Sequence, residues 1–203
     1  MAAIKTLEEL RSHYGAPSKR ALLKELDHVD KHCRRFIELS PFMLIGTVGA
    51  DGRADVSPRG EAPGFVHVLD EKRLALPDRP GNNRLDSLTN IVTNPAVGLC
   101  FLVPGVHEAL RINGQAEIRD DEDLKAMFAI KGRLPATVLV ITVQEAYLQC
   151  AKSVMRSRLW DPDARIDRSE LPTMGEMLRD QIGGDMEAEP QDKMLERYKD
   201  ILY

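Results

Sequence analysis

Three stretches of the 203-residue chain concentrate side chains that can do chemistry. The first runs from Asp78 to Leu88 and reads DRPGNNRLDSL. A helix start carries unpaired N–H groups and a partial positive charge, so it attracts phosphate. Here Gly81 lets a ligand approach the backbone, and Asn82 and Asn83 offer donors. Arg79 and Arg84 bring charge that grips phosphate at two points, and Ser87 follows one turn in. An ordinary asparagine-capped helix with surface arginines has the same appearance. The chain holds neither a Walker loop, GxxxxGK[ST], nor a dinucleotide GxGxxG.

The second stretch, Asp55 to Gly64, reads DVSPRGEAPG. A strand that ends in Val56-Ser57-Pro58-Arg59 frees backbone groups at a sheet edge, which can read a flat heteroaromatic ring. Arg59 can face negative charge on such a ring, although a proline-terminated strand leaving for a loop reads the same way. The third stretch is QCAKSVMRSRLW, Gln149 to Trp160, where Lys152, Arg156 and Arg158 crowd beside the single tryptophan. Tryptophan among cations stacks on a ligand or on a partner chain; equally, it anchors a solvated basic turn. Other candidates are thinner. His28, His32 and Cys33 have ligand spacing on a helix but no third ligand at a recognisable distance, so no metal is expected. His67 reads as a packed strand residue, His107 lies in a loop near Glu108, and no GxSxG supports a hydrolase triad.

The elements that must position these residues follow from periodicity and punctuation. Thr6 and Glu9 form a capping box ahead of a first helix, and Ser18 caps a second. The helical stripe of that second helix runs through Leu22, Leu26 and Val29 to Cys33 and Ile37, closed by Ser40-Pro41. From Phe42 the pattern becomes strand: FMLIGTV, an Asp51-Gly52 turn, then ADVSPRG. Short strands are expected at FVHVLD and RLALPD. A helix is expected over Asn82 to Asn94, with Leu85, Leu88, Ile91 and Val92 on its apolar face. AVGLCFLV, the alternating LRINGQAEI and TVLVITVQEAYLQC are further strands, with a short helix capped by Asp121 between the last two. A second capping box, Thr173 and Glu176, opens a helix to Ile182, and Met194, Leu195, Tyr198, Ile201 and Leu202 mark a final amphipathic helix. About seven strands with two inserted helices suggest a small barrel with helical ends rather than a doubly wound fold.

Composition narrows the function. The chain carries 28 Lys and Arg against 32 Asp and Glu, a net charge of −4, which argues against a general nucleic-acid binder. Three cysteines, far apart and without CxxC, argue against a disulfide framework or zinc ribbon and fit a reducing cytoplasm. No apolar run approaches a membrane span, and the N-terminus lacks a signal-peptide core. A cytoplasmic protein without a membrane partner is expected.

Taken in order, FMLIGTVGADGRADVSPRG, LALPDRPGNNRLDSLTNIVTNPAVGLCFLVPG, LRINGQAEI and CAKSVMRSRLW resemble the pyridoxamine 5'-phosphate oxidase-like family of FMN-binding split barrels. The closest likeness is to a bacterial branch marked by DRPGNxR and CxKxxxRSxLW. Each segment is weak alone; four in order are specific. The resemblance implies a mainly β fold with helical ends, a six-stranded antiparallel split barrel over residues 41–160. Helices at 1–40 and a helical tail at 161–203 would pack on it as one domain. It also implies a homodimer with FMN in clefts between subunits. Arg79, Asn82, Asn83, Arg84 and Ser87 fall where the family binds the flavin phosphate, and Val56, Ser57, Pro58 and Arg59 along the strand lining the isoalloxazine. Lys152, Arg156 and Trp160 fall on the segment that reaches the cleft from the other subunit. The Arg-x-His that holds substrate in true pyridoxamine phosphate oxidases has no counterpart, since Asp161-Pro162 follow Trp160. The resemblance therefore stops short of vitamin B6 oxidation.

Two functions fit these residues. One is an FMN-dependent oxidoreductase that takes a hydride from reduced nicotinamide and passes electrons to a small acceptor or oxygen. The other is a non-enzymatic dimer that holds FMN or haem for sensing or storage. No side chain stands out as a general acid or base.

Overall fold

The computed structural model describes residues 3–184, 187–199 and 202. Its centre is one antiparallel sheet of seven strands. They are β1 (Phe42–Val48), β2 (Ala54–Gly60), β3 (His67–Val68), β4 (Arg73–Asp78), β5 (Ala96–Leu102), β6 (Ala109–Arg119) and β7 (Thr137–Gln149). The spatial order is β2-β1-β5-β6-β7-β4-β3. The fold class is the expected one, but the sheet has seven strands rather than six and does not close. Among the described residues β2 pairs only with β1, and β3 only with β4, so each end of the order is an edge.

The helices are α1 (Leu7–Ser12), α2 (Lys19–Leu23), α3 (Lys31–Leu39), α4 (Asp86–Thr93), α5 (Glu122–Ala126), α6 (Lys152–Ser157), α7 (Met174–Ile182) and α8 (Gln191–Lys199). Strand alternation sets the core. On β1 the residues Met43, Ile45 and Thr47 are buried, while Phe42 and Val48 are exposed. The buried set packs with Leu99 and Phe101 of β5, Leu110 and Ile112 of β6, and Leu139 and Ile141 of β7. From the helices, Cys33 and Ile37 of α3 and Ile91 of α4 join the same cluster.

Local rules predict several elements to the residue. β2 fills its whole expected span, because Gly52 takes the left-handed φ of 80° that the turn before it demands. Both capping boxes form, at Thr6–Glu9 and Thr173–Glu176. Elsewhere tertiary contacts override the local signal. The stripe from Leu22 to Ile37 is not one helix. It breaks after Leu23, Leu26 exchanges backbone hydrogen bonds with Ala146 of β7, and Asp30 caps a new helix through the N–H groups of His32 and Cys33. The FVHVLD segment is strand only at His67–Val68, although Phe65 and Val66 are buried. Asp121 stands at the start of α5 but makes no side-chain cap. α4 begins at Asp86 rather than Asn82, since Asn83 and Leu85 both adopt left-handed backbone, at φ 58° and 59°. Ile201, assigned to the final helix, lies outside the described residues.

Candidate functional site

The β1–β2 hairpin and the loop before α4 face each other across one pocket of about 430 Å³. α4 is fixed to the sheet by buried Ile91 and by the Asn90 side chain, whose Nδ2 donates to Oγ1 of buried Thr47 at 3.0 Å. That anchorage brings the first turn of α4 against β2, where Ser87 meets Asp55. Leu85, the residue before the helix, provides no side-chain cap, so the first-turn N–H groups are left for another acceptor. Holding leucine in the left-handed region costs roughly 1–2 kcal/mol, a strain that rigid surroundings must impose.

The pocket unites two of the three sequence stretches. Val56, Ser57, Pro58 and Arg59 line it from β2; Arg79, Asn82, Asn83, Arg84 and Ser87 line it from the loop and α4. Strand parity divides the β2 residues: Ser57 and Arg59 are half-buried, whereas Val56 points outward and is 65% exposed. Because β2 is an edge, residues of both faces border the opening.

Each arginine of the pocket meets a carboxylate of its own chain. Arg79 forms a two-point pair with Glu61, 2.8 and 3.3 Å, and both side chains are largely buried. Arg59 lies 3.7 Å from Asp78. Arg84 is exposed and donates through Nε to Asp86 at 2.8 Å. Ser87 donates its hydroxyl to Asp55 at 2.8 Å, and the Asn82 side-chain oxygen accepts from the Arg84 N–H at 3.1 Å. Burial pushes the Asp78 carboxyl above the usual range, against the opposing pull of Arg59. The hydrogen bond and charge of Asp86 raise Arg84, and Asp55 adds to this. Opposite Asp78 in the β4–β7 ladder stands Thr137, whose buried Oγ1 has no partner among the described residues.

Sequence reasoning missed these carboxylates, Asp55, Glu61, Asp78 and Asp86. The only available signal was parity on β2, which puts Asp55, Ser57 and Arg59 on one face.

The third stretch lies elsewhere within the chain. Lys152 and Arg156 are exposed on α6, and Trp160 donates through Nε1 to the Val106 carbonyl in the β5–β6 connection at 2.7 Å. None of the three lines the pocket. Among the described residues no cluster of three or more His, Cys, Asp or Glu side chains is placed to hold a metal ion. No helix among them is long and apolar enough to cross a membrane.

The class defined so far is an antiparallel sheet with flanking helices and a pocket rich in charged side chains at the edge of β2. Residues 29–150, more than half of the chain, match the family model described as pyridoxamine 5'-phosphate oxidase. The chain belongs to that family. Among solved structures it is similar to a variant of HupZ from Group A Streptococcus, at 18% identity and a TM-score of 0.51, covering 60% of this chain and 99% of that one. It is also similar to a protein of the pyridoxinephosphate oxidase family related to general stress protein 26, from Clostridium acetobutylicum. That match has 17% identity, 58% and 85% coverage and a TM-score of 0.45. HutZ, the heme storage protein from Vibrio cholerae, matches at 14% identity, 60% and 93% coverage and a TM-score of 0.39. No curated protein sequence matches the chain.

Proposed function

We propose that the chain is a dimeric FMN-binding oxidoreductase that takes electrons from reduced nicotinamide and passes them to a small acceptor or oxygen. The observation that carries this reading is the pocket joining the uncapped start of α4, with Arg84 beside it, to the edge of β2. Its volume falls in the range of about 300–1,000 Å³ usual for cofactor sites. The residues fit FMN: the α4 N–H groups, Arg84 and Asn83 suit a phosphate, and the Ser57–Arg59 backbone suits a flat ring. Bound FMN supplies hydride and single-electron transfer, while the protein places it and tunes it. Arg59, held near Asp78, would face negative charge on the ring of a bound flavin, and preorganised charge of this kind would favour reduction.

Haem suits the pocket less well. An axial ligand is normally His, Cys, Met or Tyr, and among the described residues none of these lines it. A homodimer is supported by the outward face of β2 and β1. Phe42 and Val48 of β1 and Val56 of β2 are exposed there beside Pro58, and β2 has an unpaired edge among the described residues. A second copy over this face would border the pocket, and Lys152, Arg156 and Trp160 would serve the partner's site. The test is spectral. The purified protein should carry or take up flavin, and the flavin should bleach on anaerobic addition of NADH or NADPH. Flavin that neither nicotinamide reduces would leave a binder without this activity.

A further inference from the structure

A second, smaller cavity of about 160 Å³ adjoins the first, and Arg79 lines both. The Arg79–Glu61 ion pair stands where they meet. Its other walls include Phe65, His67, Met127 and Phe128. The His67 and Phe128 rings stack at 4.2 Å between centroids, 30° from parallel. Phe65 and Phe128 are buried and His67 is half-buried, yet the imidazole makes no hydrogen bond among the described residues.

A cavity of about 150 Å³ with apolar walls accepts benzene, so this one has room for a single ring. The charges beside it cancel: Glu61 repels anions, Arg79 repels cations, and the pair neutralises itself. A neutral ring is therefore preferred. Burial lowers the His67 pKa, against the opposing pull of Glu61. The ring is then neutral near pH 7 and offers one donor and one acceptor nitrogen. A half-buried imidazole without a partner, in a chamber of one-ring size, is a recognition group awaiting a ligand.

We propose that this chamber is the acceptor subsite of the flavin pocket, taking one neutral planar ring with a single hydrogen-bonding group that His67 reads. Its role as acceptor site rests on the flavin reading; the ring site itself does not. It lies at the Arg59–Arg79 end of the larger pocket, away from Arg84 and Ser87, where the flavin ring rather than its phosphate would lie.

The test uses 4-fluorophenol, followed by ¹⁹F NMR on the full chain without flavin. Saturable binding is expected with a Kd on the order of 1 mM, as for a fragment of this size. Fluorobenzene, lacking the hydroxyl, should bind about 5- to 10-fold more weakly. His67→Phe keeps a ring on Phe128 and should weaken 4-fluorophenol to the fluorobenzene value while leaving fluorobenzene unchanged. Ala129→Trp, at an exposed wall position, should fill the chamber and abolish both. In the flavin-loaded protein, 4-fluorophenol should shift the flavin absorbance of wild type but not of Ala129→Trp. Binding that fails to saturate, or that ignores both substitutions, overturns the ring site. A probe that occupies the chamber without moving the flavin spectrum, or a protein that takes the probe but no flavin, overturns its role as acceptor subsite. The cofactor reading itself stands or falls on flavin binding at Arg84, which the flavin-free titration does not touch.

Discussion

Arg84→Ala separates phosphate recognition from ring recognition. In the ligand-free chain Arg84 is exposed and bonded to Asp86, so a phosphate must compete with an existing partner. A charge-assisted hydrogen bond alone changes affinity by about 10- to 150-fold. Exchanging an exposed pair for a phosphate gains less, because the lost contact and solvent screening both subtract. The expected loss for FMN is therefore at the lower end, about 5- to 20-fold. Asp86→Asn, which releases Arg84 and removes a negative charge beside the phosphate, should tighten FMN by about 2- to 5-fold. Riboflavin lacks the phosphate and should bind wild type and both variants almost alike. Flavin fluorescence titrations, repeated at low and high salt, read all three, and the Arg84 effect should shrink as salt rises. Equal losses for riboflavin and FMN in Arg84→Ala, or no loss in a folded variant, would refute phosphate binding at α4.

Three further outcomes follow from the packing. Burial, with the Asp30 carboxylate beside it, pushes the Cys33 thiol up to about 12, burial raises Cys100, and exposed Cys150 is lowered chiefly by the Lys152 backbone N–H. Alkylation near pH 7.5 should therefore label Cys150 first and Cys33 only on unfolding, and mass spectrometry after partial labelling would show any other order. Gly114 sits at the β6 bulge, where an added Cβ would collide with the Thr142 carbonyl. Gly114→Ala should thus cost about 1–3 kcal/mol in urea unfolding, and an unchanged midpoint would contradict the close approach. Val56→Lys places charge on the exposed outer face of β2, and light scattering should then move from about twice the 22.7 kDa chain mass toward one chain; a monomeric wild type with full flavin content would sink the shared cleft.

Legibility in the sequence followed the range of the interactions. β2, β6, β7 and the two capping boxes rest on alternation, Asp-Gly and Ser/Thr-to-Glu spacing, all local, and they stand where these signals put them. The break before Asp30 was hidden because it depends on Leu26 meeting Ala146, 120 residues away. The late start of α4 was hidden because sequence gives no reason for leucine at Leu85 to turn left-handed; the packing of α4 on β1 and β6 decides it. Of the candidate site, the residues read from Val56 to Arg59 and from Arg79 to Ser87 line one pocket, whereas Lys152, Arg156 and Trp160 do not. The carboxylate partners of the pocket residues were not legible. Asp55 lies 32 residues from Ser87 and Glu61 lies 18 from Arg79, so only the folded β2 edge brings them together. His67 was read as a packed strand residue, and its ring stacks on that of Phe128.

The central claim is that the pocket between β2 and α4 holds FMN. The most direct test is a titration of flavin-free protein with FMN, read by flavin fluorescence and checked by equilibrium dialysis, in wild type and in Ser87→Trp. Ser87 is buried at the start of α4, and the added indole would occupy the phosphate end of the pocket. Circular dichroism confirms that the variant folds. The account predicts saturation at one FMN per chain in wild type and loss of that binding in Ser87→Trp. Absence of saturable binding in wild type, or undiminished binding in the folded variant, would contradict it.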